Sequence, residues 1–283
     1  MPSMKAIKRR ISSVTTTKQV MKAMDMVAAA KLQKAKAQLD DARPFVEEAR
    51  RAIDDVRDYK DASESDFIKP REIKNSAFLV IAGDSGLCGS YNSNVLTRAL
   101  EQMDKKNEVV IAIGTRGRDF LRRFKKNIIE TFSISESVSY DNARHLAAML
   151  LMMYEAGEID EIYVVYTRFE TALSQVPKVI KALPAGGDPE DGYSFSKIQF
   201  ESGVITYLES AIPMYLSAII YGALVESSTS EQAARMVNMD SAVNNAAELI
   251  DDLTLIRNRK RQALITQEIN EIVNGVNTLK SKR

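Results

Sequence analysis

Apolar residues recur along the N-terminal part of the chain at alternating spacings of four and three. Over seven heptads, thirteen of the fifteen positions in this series are apolar, and only Lys18 and Asp25 are polar. A repeat of 3.5 residues predicts a helix that packs along a partner as a left-handed coiled coil, and we assign it to residues 1–60. Pro44 lies within the repeat and is expected to kink or locally break the helix. The series consists of Ile7, Ile11, Val14, Lys18, Met21, Asp25, Ala28, Leu32, Ala35, Leu39, Ala42, Val46, Ala49, Ile53 and Val56.

The C-terminal part of the chain shows a second helical pattern. Residues 223–274 contain neither glycine nor proline, which permits one long helix, and we assign the C-terminal coiled-coil helix to residues 206–283. Its start is expected between Thr206 and Ala211, with Pro213 near the first turn. Each of the two helices has an apolar stripe along one side, and an antiparallel two-helix coiled coil is the simplest way to bury both stripes. The C-terminal stripe consists of Met239, Val243, Ala246, Ile250 and Leu253, followed after a basic run by Ile265, Ile269, Ile272, Val276 and Leu279.

Between the two helices the pattern changes to short apolar runs that end in turn residues. Ten of the twelve glycines lie between Gly83 and Gly203. Strands alternating with helices predict a central Rossmann-like α/β domain with a parallel or mixed sheet, at residues 75–205 and at one end of the coiled coil. Strands are predicted at 77–82, 109–113, 128–134, 162–167 and 195–200, helices at 92–103, 117–126 and 141–156, and loops at 58–69 and 182–192.

Composition narrows the classes of function. With 45 % hydrophobic and 27 % charged residues, the chain is expected to be soluble and folded. Cys88 is its only cysteine and His145 its only histidine, which excludes an internal disulfide framework and disfavours a His-rich metal site. The longest apolar stretch, residues 211–225, contains Pro213, Ser217 and Gly222, so a packed helix is favoured over a membrane span.

Two glycine-containing turns after predicted strands could hold a phosphate group. Residues 83–89 lack the spacing of a dinucleotide fingerprint and the Lys-Ser/Thr pair of a P-loop, and Arg116 follows the second turn, Gly114-Thr115. Packing of the strand-helix turns explains both segments better than nucleotide binding.

Cys88 and His145 could form a nucleophile and base, but no third residue is evident to orient them. We expect no cofactor and no metal.

One segment of the N-terminal helix is apolar on nearly every side. Between Lys22 and Lys31 the residues Ala23, Met24, Met26, Val27, Ala28, Ala29 and Ala30 cover most of the circumference, although a coiled coil needs only one apolar stripe. An external hydrophobic partner is therefore favoured.

The C-terminal helix carries four basic residues close together, Arg257, Arg259, Lys260 and Arg261. They are compatible with a solvated face or with nucleic acid, but no aromatic residues are interleaved among them.

Four separated blocks of the chain resemble the gamma subunit of F-type ATP synthases, in the same order and over essentially the full length. Lys22 to Lys31 resembles the N-terminal helix block, and Gly86-Leu87-Cys88-Gly89 with Tyr91-Asn92 resembles the turn after the first strand. Phe169 with Ser174-Gln175-Val176-Pro177 resembles a block late in the α/β domain. The C-terminal signature is matched by Arg261-Gln262-Ala263 with Ile265-Thr266-Gln267-Glu268-Ile269.

This resemblance implies a central rotor shaft that couples proton flow through the membrane ring to ATP synthesis or hydrolysis in the alpha3beta3 head. It implies a non-catalytic subunit with the alpha and beta subunits, the epsilon subunit and the membrane c-ring as partners, at the cytoplasmic face of the bacterial inner membrane. Neither nucleic acid nor a direct membrane span is expected. By similarity, the rotor-stator contacts would be Lys22, Met24, Arg235, Arg261, Gln262 and Thr266.

Two alternatives rest on the same patterns. A coiled-coil protein with a central hinge domain could associate with DNA, although such a protein would need ATP-binding motifs that this chain lacks. A nicotinamide-dependent reductase built on the middle domain would need the missing dinucleotide fingerprint.

Overall fold

The computed structural model describes residues 3–57, 59–104, 106–133, 138–185 and 203–280. The described residues form two compact units, which we call the helical unit, Met1–Val27 with Met236–Arg283, and the α/β unit, Ala28–Arg235. In chain order the helices are α1 (Met4–Arg57), α2 (Tyr91–Met103), α3 (Thr115–Arg123), α4 (Tyr140–Glu155) and α5 (Val204–Lys280). The strands are β1 (Ser76–Ile81), β2 (Glu108–Ile113), β3 (Ile128–Phe132), β4 (Glu161–Phe169) and β5 (Gln175–Leu183).

The five strands form one mixed sheet in the order β3-β2-β1-β4-β5. β1 pairs in parallel with both β2 and β4, and β2 pairs in parallel with β3. β5 is antiparallel to β4 and forms an edge of the sheet. Both faces of the central strands are covered, as parallel strands require. Alternate residues of β1 therefore belong to two cores, Phe78 and Val80 to one with Val95 and Leu121, and Leu79 and Ile81 to the other with Leu150 and Leu216.

Within the α/β unit, α1 and α5 run antiparallel. The Tyr207 hydroxyl donates to the carbonyl of Ala52 over 3.4 Å, and the Thr229 hydroxyl, which also donates to the Val225 carbonyl in its own helix, lies 3.3 Å from the carbonyl oxygen of Ala35. Gly222 permits a close approach, since a Cβ there would lie 2.8 Å from a methyl carbon of Val46. All fifteen positions of the predicted α1 heptad series are buried or half-buried, so the predicted register is confirmed.

A buried ionic cluster joins the first residues of β1 and β4. Glu161 is fully buried and accepts hydrogen bonds from Ser76 (2.6 Å) and Tyr163 (2.9 Å). Its carboxylate also pairs with the ammonium groups of Lys106 and Lys181. Burial alone would raise the pKa of Glu161, but these hydrogen bonds outweigh it and lower the pKa to about 2. The carboxylate is therefore ionised at neutral pH, and it connects the amino ends of neighbouring strands.

Several predicted element boundaries differ from the structure. α5 begins at Val204, before the predicted start, and Pro213 lies inside the helix. α1 is not interrupted at Pro44. Both prolines are exposed, so a carbonyl left without its helical hydrogen bond faces solvent, where it can be hydrated. A short 3-10 helix, Lys60–Glu64, occupies part of the predicted linker at 58–69.

One strand was missed, and one predicted strand lies outside the described residues. β5 contains Pro177, which cannot donate to a ladder hydrogen bond and is tolerated because β5 is an edge strand. β5 also covers the first two residues of the predicted loop at 182–192. The predicted strand at 195–200 is among the residues that the structure does not describe.

The apolar part of α5 is a core helix. A window of this helix is long and apolar enough to cross a membrane, but 72 % of it is buried inside the protein itself. Leu208, Ile212, Leu216 and Ile220 are fully buried in the core formed with the sheet, α4 and α1. This agrees with the prediction of a packed helix.

Candidate subunit-interaction surface

The N-terminal segment of the helical unit exposes apolar side chains outside its packed stripe. Ala28, the neighbouring residue in the heptad series, is buried, whereas Met24 is 41 %, Met26 65 % and Val27 57 % exposed. Lys22 is also exposed. The described part of the chain therefore covers one stripe of this helix and leaves the remaining apolar circumference open, as the sequence indicated.

The C-terminal segment of the helical unit lacks the covering that we predicted. Met239, Ala246 and Leu253 are buried, but Ile265, Ile269 and Ile272 are exposed, so the expectation that the two helices cover both stripes is wrong beyond the basic run. The reason is length. α5 has 77 residues and α1 has 54, and the contact between Tyr207 and Ala52 aligns the start of α5 with the end of α1.

The predicted contact residues near the end of α5 lie in this uncovered segment. Arg261, Gln262 and Thr266 are all exposed. They share the helical unit with Lys22 and Met24. Long polar side chains beside exposed isoleucines form an amphipathic surface that can accept both apolar and charged partner groups.

Arg235 differs from the other five predicted contact residues. It belongs to the α/β unit, and its side chain is only 14 % exposed because it forms an ion pair with Glu231. The guanidinium also donates to the Ser85 hydroxyl over 2.9 Å and to the Gly86 carbonyl over 3.5 Å. Arg235 thus connects α5 to the turn after β1.

The turn after β1 and the first residue of α2 hold α5 in place, a role that the sequence reasoning missed. The Tyr91 hydroxyl donates to the Ser227 carbonyl over 3.1 Å, and Tyr91 packs with Cys88 and Ala234. Burial raises the pKa of Tyr91 well above its usual value, and nearby Glu231 adds to this effect, so the phenol remains a donor.

A second pair of contacts holds α5 to β4. The amide of Thr167 donates to the Ser227 hydroxyl over 3.2 Å, and the Ser230 hydroxyl donates to the Thr167 carbonyl over 3.2 Å. Ser227 and Ser230 are buried. The available sequence signal was this run of small hydroxyl residues inside an otherwise apolar helix, because such groups need hydrogen-bond partners when they are buried.

The candidate phosphate site at the N-terminus of α3 is filled by the chain itself. The Asp84 carboxylate accepts from the Thr115 amide over 2.9 Å and from the Ser133 hydroxyl over 2.8 Å. Gly114 has a φ of 89°, and a Cβ there would lie 2.3 Å from the Ala82 carbonyl oxygen, so close packing explains this glycine. An anion at this position would meet a carboxylate, which disfavours nucleotide binding.

Cys88 and His145 are not brought together as a catalytic pair. Cys88 is buried, and its sulfur accepts a hydrogen bond from the side-chain amide of Asn92 over 3.2 Å. His145 is exposed and its ring contacts Phe132 edge-on. Burial, reinforced by Glu231, raises the pKa of the Cys88 thiol, which lowers its thiolate fraction. In the described ranges, no three metal-ligating side chains are grouped to hold an ion.

These features define the class as a long-helix protein with an inserted Rossmann-like domain and an uncovered helical surface. A family model described as ATP synthase matches residues 3–279. The ATP synthase gamma chain of Alkaliphilus metalliredigens is 42 % identical, over 98 % of this chain and 99 % of that protein. The chain belongs to the ATP synthase gamma chain family.

Two further comparisons extend this result. The sodium ion specific ATP synthase gamma chain of Acetobacterium woodii is 38 % identical, over 96 % of this chain and 97 % of that protein. A chain of the mitochondrial ATP synthase of Euglena gracilis, solved with OSCP, F1 and the c-ring, has a TM-score of 0.70 at 18 % identity, covering 98 % of this chain and 94 % of that chain. The latter similarity supports the fold. These matches give no support to a DNA-associated hinge protein.

Proposed function

We propose that this chain is the central-stalk rotor subunit of an F-type ATP synthase. The observation that carries the proposal is the uncovered apolar surface of the helical unit, where Met26, Val27 and Ile272 remain exposed in a chain of this family. Exposed apolar surface of this extent indicates a protein partner. The alpha and beta subunits, arranged as an alpha3beta3 ring, would surround the helical unit.

Lys22, Met24, Arg261, Gln262 and Thr266 would contact that ring. Each contact must break and re-form as the shaft turns, so exposed polar pairs of about 0.2 to 1 kcal/mol suit the role better than buried ones. All five side chains are exposed. Arg235 would contribute through the small part of its side chain that the Glu231 pair leaves open.

The α/β unit would contact the epsilon subunit and the membrane c-ring. One structural relative is a chain from the central stalk and c-ring of the Tetrahymena thermophila mitochondrial ATP synthase, and another is a chain from the rotor of the Euglena gracilis enzyme. By family membership we extend these roles to this chain, with a location at the cytoplasmic face of the bacterial inner membrane. Ion flow through the ring would turn the shaft and so drive the catalytic sites in sequence. The ion itself, a proton in our proposal, is selected in the membrane ring.

The chain would be non-catalytic by itself. The Asp84 carboxylate occupies the N-terminus of α3, and the Cys88 thiol is buried beside the Asn92 side chain, so neither position is arranged for nucleotide chemistry. Phosphate release measured with the purified chain and ATP should equal the background. Turnover by the isolated chain would contradict this part of the proposal.

Assembly tests the proposal directly. The chain is co-expressed with alpha and beta subunits of a relative, and the complex is weighed by native mass spectrometry. We expect one copy of the chain with six larger subunits. The control omits the chain and should not give this mass. Failure of the full chain to enter the complex would overturn the rotor assignment.

A further inference from the structure

The C-terminal end of α3 forms a basic surface that the rotor contacts do not use. Arg122, Arg123 and Lys125 are exposed, and within the described part of the chain none of them forms an ion pair. Asp119 lies 2.9 Å from Arg118 and is also influenced by the charge of Arg122, and Lys126 lies 3.3 Å from Glu108. The surface therefore has an excess of positive charge.

An aromatic ring lies among these cations. Phe124 is 54 % exposed, and its centroid lies 4.9 Å from that of Phe120, which packs against the core. The Phe124 ring packs on Phe120 on one side and is open to solvent on the other, and three cations lie beside it in the sequence. Aromatic and basic side chains are the two types that bind the interfacial region of a membrane.

The backbone supplies a second, independent observation. α3 ends in a Schellman motif, in which the amides of Lys125 and Lys126 donate to the carbonyls of Arg122 and Leu121. Lys125 occupies the left-handed position of this motif with a φ of 54°. Glycine is favoured there because a Cβ is strained in that conformation.

α4 ends in the same motif with the favoured residue. The amides of Gly157 and Glu158 donate to the carbonyls of Tyr154 and Met153, and Gly157 has a φ of 72°. The chain therefore uses glycine for this turn after α4 and a strained lysine after α3. The left-handed conformation disfavours a lysine, so this position keeps a charged side chain at a local cost, which a ligand for that charge would offset.

The surface also lies at a defined edge of the sheet. α3 begins at the carboxyl edge, where the Arg116 amide donates to the Gly83 carbonyl, and ends near the start of β2, where the Val110 amide donates to the Asn127 carbonyl. Arg235 contacts Ser85 and Gly86 at the carboxyl edge. The basic end of α3 thus faces the opposite edge of the α/β unit from Arg235.

We propose that Arg122, Arg123, Phe124 and Lys125 bind the anionic phospholipid headgroups of a bilayer. This inference rests on the proposed function, which brings the α/β unit to a membrane ring. The cations would pair with lipid phosphates, and the Phe124 ring would enter the interface beside them. The contact would be weak and reversible, since each cation acts separately on a fluid surface.

The chain contains no tryptophan, which permits a site-specific test. The full chain carrying Phe124→Trp is mixed with vesicles of phosphatidylcholine alone or of equal parts phosphatidylcholine and phosphatidylglycerol. We expect a blue shift of the tryptophan emission with the anionic vesicles only, abolished by high salt. Met152→Trp, a reporter on an exposed position of α4, should not shift.

Charge variants in the Phe124→Trp background identify the ligands. Arg122→Gln with Arg123→Gln should weaken vesicle binding at this reporter about five-fold per cation, the equivalent of about 1 kcal/mol each. The matched pair Arg98→Gln with Arg144→Gln, on α2 and α4, should leave it unchanged. Equal loss in both pairs would mean general charge attraction and would overturn the site.

Lys125→Gly separates binding from stability. It should raise Tm by about 2 to 4 °C by relieving the left-handed strain, and it should weaken vesicle binding about five-fold. Unchanged binding would show that Lys125 has no ligand. If the tryptophan emission of Phe124→Trp shifts with poly-glutamate or DNA but not with vesicles, the partner of this surface is not a lipid and the proposal is overturned. If the chain assembles normally with the alpha and beta subunits but its emission does not shift with vesicles, the lipid contact is refuted and the rotor assignment stands.

Discussion

α5 carries large aliphatic residues in both units, but the chain covers them in only one. In the α/β unit, Leu216, Ile219 and Ile220 are buried against the sheet, α4 and α1. In the helical unit, Ile269 and Ile272 of the same helix are exposed. Similar residues on one continuous helix thus serve two purposes. An apolar stripe indicates that something covers it, and only the structure tells whether the covering belongs to the same chain.

The largest effect is expected from removing buried side chain in the α/β unit. Leu216→Ala should lower the free energy of unfolding by about 2 to 5 kcal/mol, because it leaves a cavity in a closed core. Leu255→Ala makes the same chemical change on the exposed part of α5 and should cost about 0.5 kcal/mol or less. Urea unfolding measures both. Equal losses would show that the two parts of the helix are equally packed.

The second prediction concerns the stability of the α/β unit against acid. The pKa of Glu161 lies at about 2 in the folded chain, below its usual value of 4.5, so its contribution is present above pH 4.5 and is lost as the pH falls toward 2. Glu161→Gln should destabilise the chain by about 3 kcal/mol at neutral pH, since Lys106 and Lys181 lose their buried partner.

Urea unfolding at pH 6 and pH 3 checks this assignment. The difference between the chain and Glu161→Gln should shrink at the lower pH, because the carboxylate is then part-way through the window in which its stabilisation is lost. Glu130→Gln, at an exposed position of β3, is the control and should show no such change. A constant difference at both pH values would exclude ionisation as the cause.

The third prediction applies to the exposed end of α5. Ile269→Ser with Ile272→Ser should leave the urea midpoint of the isolated chain nearly unchanged but weaken its assembly with alpha and beta subunits about ten-fold, since apolar area is buried only in the complex. Native mass spectrometry across a concentration series measures this. Unaltered assembly would mean that these side chains stay exposed in the complex.

The smallest effect is expected at the contact between the first residue of α2 and α5. Tyr91→Phe removes one hydrogen bond to the Ser227 carbonyl and should cost about 1 kcal/mol. Tyr59→Phe, a change of the same kind in the segment after α1, is a suitable comparison. Hydrogen exchange of the amides near Ser227 should increase in Tyr91→Phe only, and unaltered exchange would show that the contact does not hold the helix.

The sequence predicted the repetitive parts of the fold best. Within the described ranges, four of the five strands and all five α-helices were recognised, because period and burial agree over many residues. β5 was missed since its pattern contains Pro177 and three charged or polar side chains, and an edge strand needs only one covered face. The domain boundaries at residues 60, 75 and 205 stay predictions.

The candidate surface was predicted less completely. Met24 and Arg261 were identified from pattern and family resemblance, and their exposure agrees with a contact surface. The internal partners of Arg235 could not be foreseen, because Ser85 and Gly86 are about 150 residues distant in the chain. The sequence also did not indicate that Asp84 occupies the N-terminus of α3, because its partner Ser133 follows a different strand.

The contacts between α5 and the α/β unit have a mechanical consequence. Ser227, Ser230 and Arg235 lie on one side of the helix, at intervals of about one or two turns, and each is hydrogen-bonded to a fixed backbone or side-chain group. Apolar packing is non-directional, whereas a hydrogen bond is made at only one angle of the helix about its own axis. Torque applied to the sheet would therefore pass into α5 through these hydrogen bonds as well as through the apolar packing.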